Sequence, residues 1–257
     1  DRYLRFVFLT GVTKFSQVSV FSDLNQLNDI SMNRSFAEIC GITRQELEAN
    51  FQPEIKVFGQ NNNQTPGEVL DIMEANYDGY HFHPNSPGIF NPFSVLSAFF
   101  NRELGSYWFQ TGTPTFLVEM LQKTNYDLRL LLDGIEAPAS SFTEYRVDSN
   151  NPIPLIYQSG YLTIKEYDSR FTNYFLAFPN EEVKYGFINF LIPFYTSVTN
   201  NDQNFYIGKF VSELEHGDVD AFLTRLQAFF ADFNYELNEQ TERHYQVVFY
   251  IVFKLMG

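Results

Sequence analysis

The sequence predicts a mainly α-helical protein with small β elements, an α+β fold. Several apolar segments begin just after residues that favour helix starts. Two short runs rich in β-forming residues are separated by a polar turn, which is typical of a hairpin. The 257 residues are 44% hydrophobic, so the chain can bury a core of its own.

The N-terminal run Tyr3–Leu9 is apolar and ends in Thr10-Gly11, as expected for a buried parallel strand. A lone strand cannot pair its own backbone groups. The chain begins at Asp1, without Met, directly before this run. We therefore expect a processed chain or an excised piece, in which residues 1–30 are the remnant of a larger sheet.

Residues 31–140 predict a small helical subdomain. Thr43 and Thr65 are each followed three residues later by glutamate, the pattern of a capping box. Asn91 and Thr113 are each followed by proline, which is preferred at the first helical position. These four positions predict four helix starts, with a turn-rich segment at 77–91 between them.

Residues 141–200 predict a helix, a hairpin and a second helix. The first helix is expected near Pro154–Gln158, and the hairpin strands at Tyr161–Tyr167 and Asn173–Phe178. Asn180 then caps a helix whose first turn carries Glu181 and Glu182, which suit the positive helix end. This order of elements resembles a winged helix.

Residues 201–257 predict further helices, with starts at Asp218 and Thr241. On the last helix Tyr245, Phe249 and Phe253 follow at helical spacing, which indicates packing. Glu242 precedes this stripe and is interpreted as a solvated helix carboxylate.

The net charge of −14 disfavours strong non-specific binding to nucleic acid, because phosphates are repelled at long range. The single cysteine, Cys40, stands in the apolar context Ile39-Cys40-Gly41 and is predicted to be a buried, inert thiol. It allows no internal disulfide, which favours a reducing, cytoplasmic setting. No apolar run approaches the roughly 18 residues of a membrane span.

No complete active site is found in the sequence. Gly11 to Ser16 invites comparison with the nucleotide-binding P-loop, but Thr13 precedes Lys14 where that motif has glycine, and Phe15 follows where it has a hydroxyl. His81 and His83 alternate as two metal ligands on a strand would, with Asp78 nearby, but two ligands do not make a zinc site. We interpret them as a surface pair in a turn.

Several stretches together resemble a known bacterial family, the AAA-ATPase-like proteins that carry a C-terminal PD-(D/E)XK nuclease-like domain. The resemblance covers nearly the whole chain and rests on seven segments in the same order: Phe8–Ser16, Leu24–Ile30, Tyr77–Tyr80, Asn91–Ser94, Tyr107–Pro114, Tyr157–Leu162 and Phe178–Val183.

The resemblance implies the role of each part. Residues 1–30 correspond to the sensor strand of a P-loop ATPase sheet, 31–140 to a lid, 141–200 to a winged-helix-like domain, and 201–257 to the first helices of the nuclease-like domain. The candidate cofactor-binding residues are Thr10, Lys14, Trp108, Thr111 and Thr113. Capping explains Thr113 in part without any ligand.

An intact family member would bind ATP and Mg²⁺, but both nucleotide motifs are absent from this sequence, so no cofactor is assigned to this chain alone. The leading hypothesis is a regulatory or structural part of an ATPase linked to a nuclease-like domain, whose partners are the missing halves.

Three other interpretations remain. The alternative from a different class is a non-enzymatic interaction module with a winged-helix fold that binds another protein. Direct DNA binding has weak support, because Lys165 and Arg170 of the hairpin are accompanied by Glu166 and Asp168. The third is an active nuclease, for which the resemblance would make Glu242 a peripheral carboxylate of the site, although its metal-binding partners are missing.

Overall fold

A computed structural model of the 257-residue chain describes residues 5–8, 10–11, 28–111, 115–124, 126–139, 151–195, 200–231 and 242–256. The described residues are mainly helical and include one three-stranded antiparallel sheet. The predicted α+β class is thereby confirmed.

Four helices form the first unit: α1 (Arg44–Asn50), α2 (Gln52–Asn62), α3 (Pro66–Tyr77) and α4 (Pro92–Asn101). A 3-10 turn at Arg34–Phe36 precedes them, and a second one at Trp108–Thr111 follows. Thr43 and Thr65 each form the predicted capping box, and Asn91 accepts hydrogen bonds from the amides of Phe93 and Ser94. Three of the four predicted helix starts are confirmed, and the fourth, at Thr113, lies outside the described residues.

The first unit has a hydrophobic core of its own. It consists of large side chains contributed by all four helices and by the segments on either side of α4: Leu47, Ile55, Phe58, Val69, Met73, Tyr77, Phe90, Val95, Ala98, Phe99 and Tyr107. Between α3 and α4 an isolated bridge joins Tyr80 to Ile89, and a second bridge joins Phe90 to Ile42, which precedes α1. The turn-rich segment is thus held close to the helices that flank it.

The second unit combines helices and the sheet. Its elements are α5 (Thr115–Lys123), α6 (Leu128–Asp133), β1 (Ile135–Pro138), α7 (Ile153–Gln158), β2 (Thr163–Asp168), β3 (Asn173–Ala177) and α8 (Glu181–Tyr195). The strand order is β1-β3-β2 and both pairs are antiparallel.

The predicted helix, hairpin and helix are confirmed as α7, β2–β3 and α8. In the hairpin Thr163 pairs with Ala177 and Asp168 with Asn173. Strand β1 had not been predicted, although it pairs with β3 from Ile135 opposite Leu176 to Pro138 opposite Asn173. Four residues containing Glu and Pro give too weak a β signal, and only the edge of β3 makes this segment a strand.

A second hydrophobic core joins the sheet to the helices of this unit. Among its most buried members are Leu121, Leu131, Ile156, Leu176, Val183, Phe187, Ile188 and Leu191. The helix α8 runs along this core with Val183, Phe187 and Leu191 at intervals of four residues, so one stripe of the helix is buried.

The C-terminal part consists of α9 (Asn200–Glu215), α10 (Val219–Ala231) and α11 (Glu242–Met256). Its own core contains Phe210, Phe222, Leu226, Phe229, Val248 and Val252. The predicted start at Asp218 is confirmed, since its carboxylate accepts from the amide of Ala221 at 3.0 Å. Thr241 lies outside the described residues.

Helix α11 contributes to two cores at once. Val247 and Ile251 belong to the second core, whereas Val248 and Val252 belong to the third. The C-terminal helices therefore pack directly on the second unit.

Two predictions about individual segments are wrong. The described part of the predicted N-terminal strand, Arg5–Phe8 and Thr10, is not a strand, and the side chains of Phe6 and Phe8 are 81% and 51% exposed. Strand formation needs a neighbouring edge, which no described residue provides here. Cys40 is exposed instead of buried, because its apolar sequence context lies in a turn beside the first core and not within it.

No helix among the described residues is both long enough and apolar enough to cross a bilayer.

Candidate functional site at the junction of two cores

The structure does not bring the five predicted cofactor-binding residues together. Thr10 is exposed in the N-terminal segment. Lys14 and Thr113 lie outside the described residues. Trp108 and Thr111 share the 3-10 turn that leads from the first unit to the second.

Trp108 is packed where the two units meet. Its ring makes edge-to-face contacts with Phe109 and with Tyr161, at centroid distances of 4.9 and 4.7 Å. Tyr161 in turn packs on Phe187 of α8. The position of Trp108 is therefore fixed by aromatic packing between the units.

Glu182 is the central polar residue of this junction. It lies in the first turn of α8 and is 6% exposed. Its Oε2 accepts a hydrogen bond from Ser94 Oγ of α4 at 2.7 Å, and its Oε1 accepts from the amides of Tyr107 and Trp108 at 2.6 and 2.9 Å. One carboxylate thus connects three parts of the chain.

The environment of Glu182 acts on its ionisation in two directions. Burial raises the pKa of this carboxyl above its usual value, and the three donors partly offset that rise. A buried carboxylate needs such donors, because an unpaired one would be strongly destabilising. Removing Glu182 would leave the three donors without an acceptor.

Further hydrogen bonds attach the segment after α3 to the hairpin. Thr163 Oγ accepts from the amide of His81 at 2.7 Å and donates to its carbonyl at 3.1 Å. Lys165 Nζ donates to the carbonyl of Pro179 at 2.8 Å and, more weakly, to that of Gly79 at 3.4 Å. The bonds from Thr163 to His81 and from Lys165 to Gly79 span 82 and 86 residues of sequence, so they attach the two units at a second place besides Glu182.

Asp78 lies beside these hydrogen bonds, and its carboxylate is partly shielded from water. Its Oδ1 is buried and accepts no hydrogen bond from the described residues. Burial raises the pKa of Asp78, while burial of the ammonium group lowers the pKa of Lys165. Each charge opposes the shift of the other group's pKa, so the Asp78 carboxylate and the Lys165 ammonium attract each other.

The two histidines are held by local turns. His81 Nδ1 donates to the carbonyl of Ser86 at 3.0 Å, and His83 Nδ1 accepts from the amide of Asn85 at 3.1 Å. Among the described residues no three His, Cys, Asp or Glu side chains are grouped so that they could hold one metal ion.

A cleft of about 470 Å³ lies on the C-terminal helices. It is lined by Arg129, Phe230, Tyr245, Gln246, Phe249 and Tyr250.

Glu242 is exposed at the start of α11 and accepts a hydrogen bond from Gln246 Nε2 at 3.0 Å. The predicted solvated carboxylate is confirmed.

Sequence reasoning missed the role of Glu182. It was interpreted, together with Glu181, as a favourable charge at the positive end of a helix. Helical periodicity places both glutamates away from the apolar stripe of α8, so it gives no reason to bury one and not the other. Lys165 was likewise treated as a surface charge of the hairpin, and no pattern in the sequence shows that its Nζ reaches two carbonyl groups.

The chain is 33% identical over 264 aligned residues to a protein of Azotobacter chroococcum mcd 1 that bears the name "Uncharacterized protein in vnfD 5'region". The alignment covers 100% of this chain and 48% of that protein, so the chain spans about half the length of its relative. No family model matches the chain, and neither does a solved structure.

Proposed function

We propose that this chain is a non-catalytic part of an ATPase-like protein, in which it couples the segment around Trp108 to the hairpin unit. The observation that supports the proposal best is the position of Glu182, which binds the amides of Tyr107 and Trp108 from the first turn of α8. The resemblance to AAA-ATPase-like proteins assigns the segment that starts at Trp108 to the side of the lid that faces a nucleotide.

The physical basis of coupling is the cost of breaking these bonds. Each buried donor that loses its acceptor costs about 1–3 kcal/mol. A shift of the Trp108 segment is therefore expected to move α8 with it and not to occur alone. Because α8 follows β3 after only a short link, the hairpin would move as well.

The length of the relative also supports the proposal. A protein about twice as long as this chain has room for a nucleotide-binding domain outside the matched part. In that arrangement ATP and Mg²⁺ would bind elsewhere in the protein, and this chain would transmit the consequence.

The test is hydrogen exchange of the natural, full-length protein with and without a non-hydrolysable ATP analogue and Mg²⁺. We expect the amides of residues 107–108 and of the first turn of α8 to change protection together. In Glu182→Ala the change at 107–108 should persist, while the change at α8 is lost.

Glu181→Ala is the matched control, since Glu181 is in the same helical turn but pairs with Lys184 of its own helix, at 3.5 Å. It should behave as wild type. The proposal is wrong if the full-length protein does not bind the nucleotide, or if Glu182→Ala leaves the two regions changing together.

A further inference from the structure

Helix α4 has two apolar faces. The inner face, formed by Val95, Ala98 and Phe99, is buried in the first core. The opposite face presents Phe93, Leu96 and Phe100, which are 45%, 50% and 86% exposed. No charged residue occurs between Pro92 and Asn101.

This pattern is unusual for a helix at a protein surface. Surface helices normally combine an apolar stripe with a polar one, and a helix that is apolar all round is usually covered on all sides. The inner face already packs within the first unit. Packing among the described residues therefore does not explain why the outer face is apolar. Leu104, just after the helix and 44% exposed, continues the patch.

The spacing of the exposed side chains indicates the shape of what they contact. Phe93, Leu96 and Phe100 stand at i, i+3 and i+7 and therefore form a straight seam along α4. This is the spacing with which one helix packs along another. A helix fits this face better than a flat sheet or a small ligand.

Charge indicates the chemistry of the partner. The unit that carries the seam, residues 28–111, has ten Asp and Glu against four Lys and Arg, a net charge of −6. A second copy of the chain would add its own −14 and would be repelled at long range. A helix with basic residues beside its apolar stripe would be attracted and oriented.

We propose that the outer face of α4, defined by Phe93, Leu96, Phe100 and Leu104, is a docking seam for an amphipathic helix of a protein partner with lysine or arginine flanking its apolar stripe. This goes beyond the coupling role and does not depend on nucleotide. It gives the interaction-module hypothesis a defined surface.

The test titrates the 257-residue chain with two synthetic amphipathic helices that have the same leucine stripe, one flanked by lysine and one by glutamate. We expect saturable binding of the lysine-flanked peptide alone. Phe100→Asp should weaken it about tenfold or more, the size of effect expected when a central apolar anchor is lost. Leu96→Asp should act in the same direction.

The substitution to aspartate separates docking from simple attraction. Phe100→Asp makes the chain more acidic, so binding by charge alone would become tighter, whereas docking on the seam becomes weaker. Leu130→Asp on α6 is the matched control, because Leu130 is 56% exposed but belongs to another surface. Circular dichroism should show both variants folded, as neither side chain is buried.

Three results would overturn the proposal. In the first, Phe100→Asp and Leu130→Asp bind the lysine-flanked peptide equally well. In the second, the glutamate-flanked peptide binds as tightly as its basic counterpart, so that charge plays no part. In the third, light scattering shows that the wild-type chain is a dimer and Phe100→Asp is a monomer, which would make a second copy the occupant.

Discussion

The side-chain amide of Asn180 donates a hydrogen bond of 2.8 Å to the carbonyl oxygen of Asp78, across 102 residues of sequence. The carbonyl oxygen of the same side chain accepts from the amide of Val183 at 3.0 Å and so caps α8. One residue that is 8% exposed both starts a helix and attaches the first unit to the second.

The double role of Asn180 predicts a graded response to substitution. Asn180→Ala loses the cap and the long-range bond and should cost about 2 kcal/mol of unfolding free energy. Asn180→Ser keeps a capping oxygen and should cost about half as much. Urea denaturation followed by circular dichroism measures both. Equal losses in the two variants would mean that the cap contributes nothing, and a serine variant as stable as wild type would mean that the bond to Asp78 contributes nothing.

Glu182 should be the most sensitive polar residue of the junction. Glu182→Ala leaves three donors without an acceptor and is expected to lower the free energy of unfolding by about 3 kcal/mol. Glu182→Gln keeps an acceptor for the two amides and should cost clearly less.

Trp108 is the only tryptophan of the chain, so its fluorescence follows the junction during unfolding. For wild type, the unfolding transition followed by Trp108 fluorescence should coincide with the one followed by circular dichroism. A Glu182→Ala variant as stable as Glu182→Gln would contradict this account of the junction.

Gly79 is predicted to tolerate no side chain. Its φ is +96°, and a Cβ there would overlap the carbonyl oxygen of Pro179. Gly79→Ala should therefore be destabilising by about 2 kcal/mol or more. Gly67→Ala in α3 is the control, since a Cβ at Gly67 meets nothing within 4 Å. It should be neutral or slightly stabilising. Thermal unfolding of the two variants would settle the comparison.

The carboxylate of Asp78 should make stability depend on pH. Burial raises the pKa of Asp78 above its usual 3.8, so the folded state binds its proton more tightly than the unfolded state does. This contribution to the free energy of unfolding is present at low pH and is lost as pH rises from about 3.8 through the folded pKa. Asn cannot titrate at this position, so the free energy of unfolding of Asp78→Asn should rise relative to that of wild type between pH 4 and 7.

Asp168 provides the opposite control for this experiment. Arg170 binds the Asp168 carboxylate and lowers its pKa, so its contribution is present above the unfolded value and is lost as pH falls through the folded one. The free energy of unfolding of Asp168→Asn should therefore fall relative to that of wild type as pH rises. The same pH trend in both variants would show that burial of Asp78 is not the cause.

The features that depend on neighbouring residues could be predicted from the sequence alone. Thr43 and Thr65 form capping boxes because each hydroxyl reaches an amide only three residues away. The hairpin was predictable for the same reason, since the Asp168 carboxylate and the Arg170 amide close its turn locally. These interactions require no knowledge of the rest of the chain.

Which polar groups are buried and which apolar ones are exposed depends on contacts between distant parts of the chain. Glu182 differs from Glu181 because Ser94 lies 88 residues away in sequence but 2.7 Å away in space. Strand β1 exists because β3 offers it an edge. The described part of the N-terminal run, Arg5–Phe8 and Thr10, has no such edge among the described residues and is not a strand. Phe100 is exposed although its side chain is apolar, because it lies on the outer face of its helix. Periodicity gives the position of a residue around its own helix, but burial depends on what else packs there.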